Sequence, residues 1–288
     1  MKKNLINVAL LFLVFFYGFL SHKEKIFPYQ FIKQTYNFLF YKSTSKVNHA
    51  RFSNTANKIL KECTNNSDVI VIIGQSNASN SVSSEIKKSE KDLNYFEDKC
   101  YLLSEPVLGS TGSRESIASS LSSKINNRTS NIFLTSGWNG SSIKEWSQPY
   151  SHLTLYVNNN LKKILKYNNL KYIIWIQGES DKNELDINYI EHFKIFKKNI
   201  LKGISPNKFE KFKFIVTQTS RCGIDDKPEP NIYLQQKELG KVFDNVLVTN
   251  VTDSLGLDYR IDGCHFNSFG VDIITDEISQ IINKDYSE

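Results

Sequence analysis

Short apolar runs rich in β-branched residues recur along the chain from residue 69, and this pattern constrains the fold more than any other feature. The runs are Val69–Ile73, Cys100–Leu103, Asn131–Thr135, Tyr172–Ile176, Phe212–Thr217 and Val246–Val251. Segments with helical spacing separate most of them. Strands that alternate with helices are typical of βαβ units, so we predict an α/β fold with a mostly parallel sheet covered on both faces.

Three segments carry apolar residues at helical spacing. They contain Leu153, Val157, Leu161, Ile164 and Leu165; then Ile187, Ile190, Phe193, Ile195, Phe196 and Ile200; and last Val271, Ile274, Ile278 and Ile281. Of the 288 residues, 40% are hydrophobic and 23% are charged, as in folded globular proteins. No internal repeat or Pro/Gly-rich linker interrupts residues 51–288, which we predict to form one domain.

Residues 4–21 are an uncharged, mostly apolar run behind two lysines. As a helix this run would span about 27 Å, close to the roughly 30 Å of a bilayer's hydrocarbon core, and it lacks the polar face of a buried helix. We therefore predict that residues 1–22 are an uncleaved signal anchor or a cleaved signal peptide. The poor match to a small-residue cleavage site favours the anchor.

Residues 23–50 are mixed aromatic and basic, and we interpret them as a membrane-proximal segment. Either form of the amino terminus would place the main domain outside the cytosol, anchored to the membrane through residues 4–21 or secreted. Lys23 and Lys25 follow the apolar run, so the positive-inside rule does not strongly fix its orientation.

The charge balance does not indicate a nucleic-acid partner. The formal net charge is +6, and half of it comes from Lys2, Lys3 and Lys23. We find no basic stripe with interleaved aromatic residues.

The four cysteines include no C-x-x-C pair, and the five histidines show no paired ligand spacing, so we expect no metal site.

Ligands of open parallel sheets bind beyond the carboxyl ends of the strands, so the residues after each run are the candidates for a site. The first run leads into Gly74-Gln75-Ser76-Asn77, where the glycine permits a sharp turn that exposes the Ser76 hydroxyl. The alternative is a polar turn in which Ser76 caps the following helix.

The third run leads to Gly140, whose backbone N–H is a potential oxyanion donor; alternatively, Gly140 belongs to a plain loop. The fourth leads to Gln177, whose side-chain amide suits an oxyanion, and then to Glu179 and Asp181, which we interpret as caps or loop-fixing residues.

Asp262 and His265 lie three residues apart near the carboxyl end, so a tight turn would let both face one cleft. His265 would then act as base toward Ser76, and Asp262 would hold its tautomer. A lone histidine in a loop is usually an exposed residue without a functional role. Here, however, residues after separate segments of one sheet together supply a nucleophile, oxyanion donors, a base and an orienting acid.

These residues resemble the SGNH hydrolase superfamily, specifically its sialate O-acetylesterase and acetylxylan-esterase-like branch, over roughly residues 68–284. The matching blocks are Gly74-Gln75-Ser76-Asn77, Gly140-Ser141-Ser142-Ile143, Trp175-Ile176-Gln177-Gly178-Glu179-Ser180-Asp181 and Asp262-Gly263-Cys264-His265. The chain departs from the branch at Ala78, where Met is common, and at Trp138-Asn139, where a second glycine is frequent.

The resemblance implies a flavodoxin-like three-layer αβα sandwich, with a mostly parallel five-stranded sheet, and a serine esterase that acts on O-acetylated carbohydrates without a metal or other cofactor. Ser76, His265 and Asp262 would form the triad. The oxyanion hole would use the N–H groups of Ser76 and Gly140 with the Gln177 amide. Around them, the residues expected to support the site or contact substrate are Gln75, Asn77, Glu179 and Asp181. A glycan O-acetyltransferase with the same triad and a non-catalytic glycan-binding protein are the alternatives.

Four cysteines in an exported chain permit two disulfides. Cys222 follows the fifth run, and Cys264 lies between the proposed acid and base. If both strand ends border one cleft, these two could form a bridge, which would leave Cys63 and Cys100 to pair. The alternative is four buried thiols.

Overall fold

The computed structural model describes residues 14, 17, 18, 21, 53–182, 184, 186–223 and 227–287. The chain divides into two compact units, Met1–Ser45 and Lys46–Glu288. Most of the predicted anchor (4–21) and all of the predicted membrane-proximal segment (23–50) lie outside the described residues. Within the described residues, no helix has the length and apolar character needed to cross a membrane.

The second unit alternates strands with helices, as the sequence predicts. Its strands are β1 (Leu60–Lys61), β2 (Asp68–Gly74), β3 (Lys88–Phe96), β4 (Lys99–Ser104), β5 (Ile132–Gly137), β6 (Asn169–Ile176), β7 (Lys213–Thr217) and β8 (Val246–Thr249). Its α-helices are α1 (Ala118–Lys124), α2 (Ile143–Ser147), α3 (His152–Ile164), α4 (Tyr189–Ile200), α5 (Pro230–Val242), α6 (Val251–Ser254) and α7 (Ser268–Ser287). Short 3₁₀ helices span Ser76–Ala78, Glu179–Asp181, Pro206–Lys208 and Leu257–Tyr259.

The strands form one mixed sheet in the order β1-β4-β3-β5-β2-β6-β7-β8. From β3 to β8 all neighbours are parallel, whereas β4 pairs antiparallel with both β3 and β1. The expected five-stranded sheet is therefore too small by three strands. The run Cys100–Leu103 does form a strand, but an antiparallel one near the sheet's edge.

Strand β2 lies at the centre because its sequence, Asp-Val-Ile-Val-Ile-Ile-Gly, can be buried on both faces. Val69, Val71 and Ile73 belong to one hydrophobic cluster, with residues of α2 to α5. Ile70 and Ile72 belong to the other cluster, with residues of α1 and α7. Side chains alternate between the faces of a strand, so β2 contributes to both cores, and helices cover both faces of the sheet.

Strand β3 has no counterpart among the predicted runs because its first half, Lys-Ser-Glu-Lys-Asp, is polar. Its apolar half ends in a two-residue turn, Glu97-Asp98, at which both residues have positive φ (49° and 65°). Such a turn matches the twist of paired strands and leads directly into β4, although this dipeptide is not a typical hairpin signal. The pairing of β3 with β4 therefore depends on tertiary contacts and not on a local sequence signal.

Candidate active site

Ser76 begins the 3₁₀ helix that follows β2, and it is 6% exposed. Gly74 makes the turn possible: its φ is 140°, and a Cβ there would lie 1.9 Å from the Ile176 carbonyl oxygen. The Gln75 N–H donates to the same oxygen at 2.9 Å. The sharp turn that the strand–Gly–Ser pattern predicts is therefore present and is held by the central strands, whereas Ser76 as a whole is buried rather than exposed.

Asp262 and His265 form a hydrogen-bonded pair. The Asp262 carboxylate lies 2.7 Å from His265 Nδ1 through one oxygen, and its other oxygen accepts from the His265 N–H at 2.8 Å. Partial burial by itself would raise the pKa of Asp262, but the hydrogen bonds from the His265 ring and from the His265 and Cys264 N–H groups outweigh it and lower the pKa to about 2. Asp262 is therefore ionised throughout the range in which an imidazole titrates, as an orienting acid must be.

Asn77, the residue after Ser76, connects the two halves of the predicted triad. Its side-chain amide donates to the Cys264 carbonyl at 3.2 Å and accepts from the Phe266 N–H at 3.2 Å. These are the backbone neighbours of His265 on either side. Among the described residues no hydrogen bond joins Ser76 to His265, so that contact of the triad stays a prediction.

Both disulfides expected for an exported chain are present. Cys222 bridges to Cys264 with a Cα–Cα distance of 4.2 Å, and Cys63 bridges to Cys100 at 5.1 Å. The first bridge crosslinks the loop after β7 to the turn that carries Asp262 and His265. The reading of the cysteines as four thiols is therefore wrong.

Gly140 follows β5 in an exposed loop, with a φ of 68° that favours glycine. The Trp138 N–H, two residues earlier, donates to the Gly74 carbonyl at 2.9 Å, so this loop runs beside the Ser76 turn. Within the described part of the chain, the backbone N–H groups of Ser76 and Gly140 make no hydrogen bond. Their role as oxyanion donors stays a prediction.

Gln177 is buried at the end of β6, and its amide group is already engaged. Its Nε2 donates to Asp181 at 2.5 Å and to the Ser141 carbonyl at 3.2 Å, while its Oε1 accepts from the Tyr189 hydroxyl at 2.8 Å. The predicted oxyanion role of Gln177 would require this amide to exchange a protein partner for the substrate, and that role stays a prediction.

The four supporting residues are buried and act on one another. The Gln75 side chain accepts from the Gly178 and Ser180 N–H groups, and thereby ties the turn after β2 to the loop after β6. Asp181 accepts from the Ile143 N–H at 3.0 Å, at the start of α2; burial raises its pKa to about 6 against the hydrogen bond from Gln177. These contacts fit the interpretation of Asp181 as a loop-fixing residue.

Glu179 accepts from Asn77 Nδ2 at 2.6 Å. Burial raises the pKa of Glu179 to about 7, opposed by that hydrogen bond and by the charge of Arg260. A carboxyl with this pKa is partly protonated near neutral pH. Glu179 therefore supports Asn77 from the interior.

Arg260 is a residue of the site that sequence reasoning missed. It is buried, donates to the Cys264 carbonyl at 2.5 Å and to the Thr252 carbonyl at 3.0 Å, and lies 4.3 Å from the centre of the Phe266 ring. The one sequence feature that could have indicated its role is its position two residues before Asp262.

In the described residues, no three His, Cys, Asp or Glu side chains converge as a metal-ligand set.

The fold is similar to that of a protein of known structure from Arabidopsis thaliana, at a TM-score of 0.57 and 16% identity, over 75% of this chain and 98% of that one. Two further structures superpose more loosely. They are a carbohydrate acetylesterase from Sinorhizobium meliloti (TM-score 0.43, 12% identity, covering 75% of this chain and 99% of that one) and a catalytic mutant of an acetylxylan esterase from Geobacillus stearothermophilus (TM-score 0.46, 9% identity, covering 77% and 96%).

No curated protein sequence matches the chain. Residues 108–279 match the family model described as "carbohydrate esterase, sialic acid-specific acetylesterase", which is more than half of the chain and includes Gly140, Gln177, Asp262 and His265. Because this match covers more than half of its length, the chain belongs to this carbohydrate esterase family.

Proposed function

We propose that the protein removes O-acetyl groups from carbohydrates, with Ser76 as nucleophile, His265 as base and Asp262 as the acid that orients His265. One observation carries this proposal: Asn77, next to Ser76, holds the backbone on both sides of His265, whose ring is paired with Asp262 at 2.7 Å. The nucleophile and the base are thereby joined through a single residue.

In the first half of the reaction, Ser76 Oγ attacks the acetyl carbonyl carbon while His265 Nε2 takes the hydroxyl proton. The Asp262 carboxylate accepts from Nδ1 and stabilises the imidazolium. The tetrahedral intermediate then expels the sugar oxygen, which takes the proton from His265. The products are the deacetylated sugar and an acetyl ester on Ser76.

In the second half, His265 takes a proton from water, and the resulting hydroxide attacks the acetyl carbonyl. The intermediate collapses to acetate, and Ser76 regains its proton from His265. In both halves the N–H groups of Ser76 and Gly140, with the Gln177 amide, would stabilise the negative oxygen, a contribution worth about 2.7–4 kcal/mol for one donor in other enzymes.

Hydrolysis of a chromogenic acetate ester by the full-length chain tests the esterase chemistry. A panel of O-acetylated sialic acids, acetylated xylan and other acetylated glycans then tests the substrate class through the acetate released. Transfer of acetyl to an added glycan, in preference to water, would support the acetyltransferase alternative. No reaction with any acetyl ester would contradict the proposal.

The same proposal places the domain 51–288 outside the cytosol, anchored or exported through residues 4–21. The two disulfides support this location because reducing compartments keep thiols reduced. Mass spectrometry of the protein from its native cell decides between the two forms. Peptides from residues 1–22 in the mature protein indicate an anchor, and a new amino terminus near residue 22 indicates a cleaved signal peptide.

A further inference from the structure

Asn77 makes its contacts with backbone on both sides of His265. Its Nδ2 meets the Cys264 carbonyl, and its Oδ1 meets the Phe266 N–H. The main chain of Asn77 continues directly from Ser76. The conformation of one buried side chain therefore influences the separation of the proposed nucleophile and base.

An asparagine amide has a donor end and an acceptor end of nearly the same shape, so its function depends on which end points where. If the Asn77 amide were flipped, its oxygen would face the Cys264 carbonyl and its NH₂ group would face the Phe266 N–H. Both contacts would become repulsive. These two backbone contacts therefore favour the observed orientation, and any further partner of the amide adds to that preference.

Glu179 Oε1 lies 2.6 Å from Asn77 Nδ2, the shortest of the three contacts of this amide. In the carboxylate, and in the acid with its proton on Oε2, this oxygen is an acceptor, so it requires the NH₂ end of Asn77. The other carboxylate oxygen, Oε2, is buried and has no hydrogen-bond partner among the described residues. Leaving a buried acceptor without a partner costs on the order of 1–3 kcal/mol. A glutamate here is thus costly to stability, and an effect on the site would account for its presence.

We propose that Glu179 is a positioning residue: it sets the orientation of the Asn77 amide, and Asn77 fixes the backbone of His265 at its working distance from Ser76. The proposal rests on the proposed function, in which Ser76 and His265 exchange a proton. Glu179 touches neither the substrate nor the reacting atoms, and it acts only through Asn77.

A double-mutant cycle tests this dependence. Glu179→Met removes the acceptor while keeping an unbranched side chain of similar length. We expect it to lower kcat by roughly 10- to 100-fold with little change in KM, because misplacement of a catalytic group by about 1 Å can cost a hundredfold. Asn77→Ala should lower kcat at least as much, and adding Glu179→Met to it should cause no further loss. Losses that multiply in the double variant would overturn the proposal.

Two further variants separate positioning from general destabilisation. Glu179→Gln retains an acceptor oxygen and should restore kcat to within a few-fold of wild type. Glu105→Met removes another carboxylate, a partly buried one that caps the start of α1 through Ser116 and Ser119. It should lower the melting temperature but leave kcat unchanged. An equal loss of kcat in the Glu105 variant, or no rescue by Gln, would contradict the positioning role.

A measurement without substrate distinguishes failure of this proposal from failure of the proposed function. Hydrogen exchange of the Phe266 amide reports its bond to Asn77 directly. We expect Glu179→Met to speed this exchange at least tenfold while amides of β2 exchange at the wild-type rate. Unchanged exchange at Phe266 would overturn the positioning role even in an active esterase. Faster exchange in a protein without esterase activity would leave the positioning contact standing and contradict only the function.

Discussion

The turn that carries Ser76 and the turn that carries His265 are held in place by different means. Ser76 is 6% exposed and follows the central strand directly, so neighbouring strands fix it. The Asp262 and His265 side chains are 52% and 27% exposed and lie outside regular secondary structure. Their turn is attached by a disulfide, by Arg260 and by Asn77. The nucleophile's position is thus part of the sheet, whereas the base depends on crosslinks between distant segments.

The largest expected effect is at the nucleophile itself. Ser76→Ala should lower esterase activity by three or more orders of magnitude, as losses at triad serines usually do. Because the turn is held through Gly74 and backbone hydrogen bonds, the melting temperature should stay within about 2 °C of wild type. Steady-state kinetics and thermal melting of the same preparation check both. Activity within tenfold of wild type would remove Ser76 from the mechanism.

Gln177, like Ser76, lies at the end of a central strand and is held in place by the sheet. If its amide serves the oxyanion, Gln177→Ala should lower kcat about a hundredfold with little change in KM, because the donor acts mainly in the transition state. The measurement is kcat and KM on a chromogenic acetate ester. A change confined to KM would show that Gln177 binds substrate. A lower melting temperature with unaltered kcat would show that its bonds to Asp181 and Ser141 only brace the loop.

The two disulfides provide a matched pair of variants that tests how the turn that carries His265 is held in place. They close similar loops, with sequence separations of 37 and 42 residues, so each should contribute on the order of 2–4 kcal/mol to stability. We expect removal of Cys222–Cys264 by alanine substitution to lower kcat about tenfold as well, because the turn that carries His265 loosens. Removal of Cys63–Cys100, which ties β4 to the chain beside β1, should lower the melting temperature similarly and leave kcat unchanged.

Thermal melting and kinetics on both double variants decide this. Equal kinetic effects from the two pairs would contradict the claim that only one disulfide supports the site. Peptide mapping of protein from its native compartment, under non-reducing conditions, is the necessary companion measurement. Four free thiols there would contradict both bridges and the export of the domain.

Glu179→Gln should have the smallest effect on catalysis, but it should change the way in which stability depends on pH. Burial raises the pKa of Glu179 from 4.5 to about 7, despite the hydrogen bond from Asn77 and the charge of Arg260, with Asp253 nearby raising it further. Between these pH values the folded protein holds a proton that the unfolded chain releases. Stability should therefore fall as pH rises from about 4.5 to about 7.

Glu179→Gln removes this proton from the balance. Its melting temperature should exceed that of wild type by an amount that grows across the same pH range and levels off above about 7. Thermal melting of both proteins from pH 4.5 to 8 checks the prediction. A constant difference would show that the pKa of Glu179 is not raised in the folded state.

Much of the architecture was predictable because local patterns carried it. All six apolar runs overlap observed strands, and the three apolar stripes correspond to α3, α4 and α7. Strand β3 was not predictable, since its polar half gives no alternating pattern and its apolar half is stabilised by pairing with β4 and β5. The residues at the strand ends could be predicted by type, whereas the contacts of Asn77 join residues almost 190 positions apart.

The sequence by itself determined the α/β class, the mostly parallel sheet and the types of residue that follow its strands. Hydrophobic periodicity and glycine conformations are local properties, and parallel strands bring their ends to one edge. Tertiary structure decided which polar groups are saturated and which are available. The Gln177 amide donates to the Ser141 carbonyl, 36 residues away, and Arg260 donates to the Arg221 carbonyl, 39 residues away. Hydrogen bonds between distant segments depend on packing that no short stretch of sequence specifies.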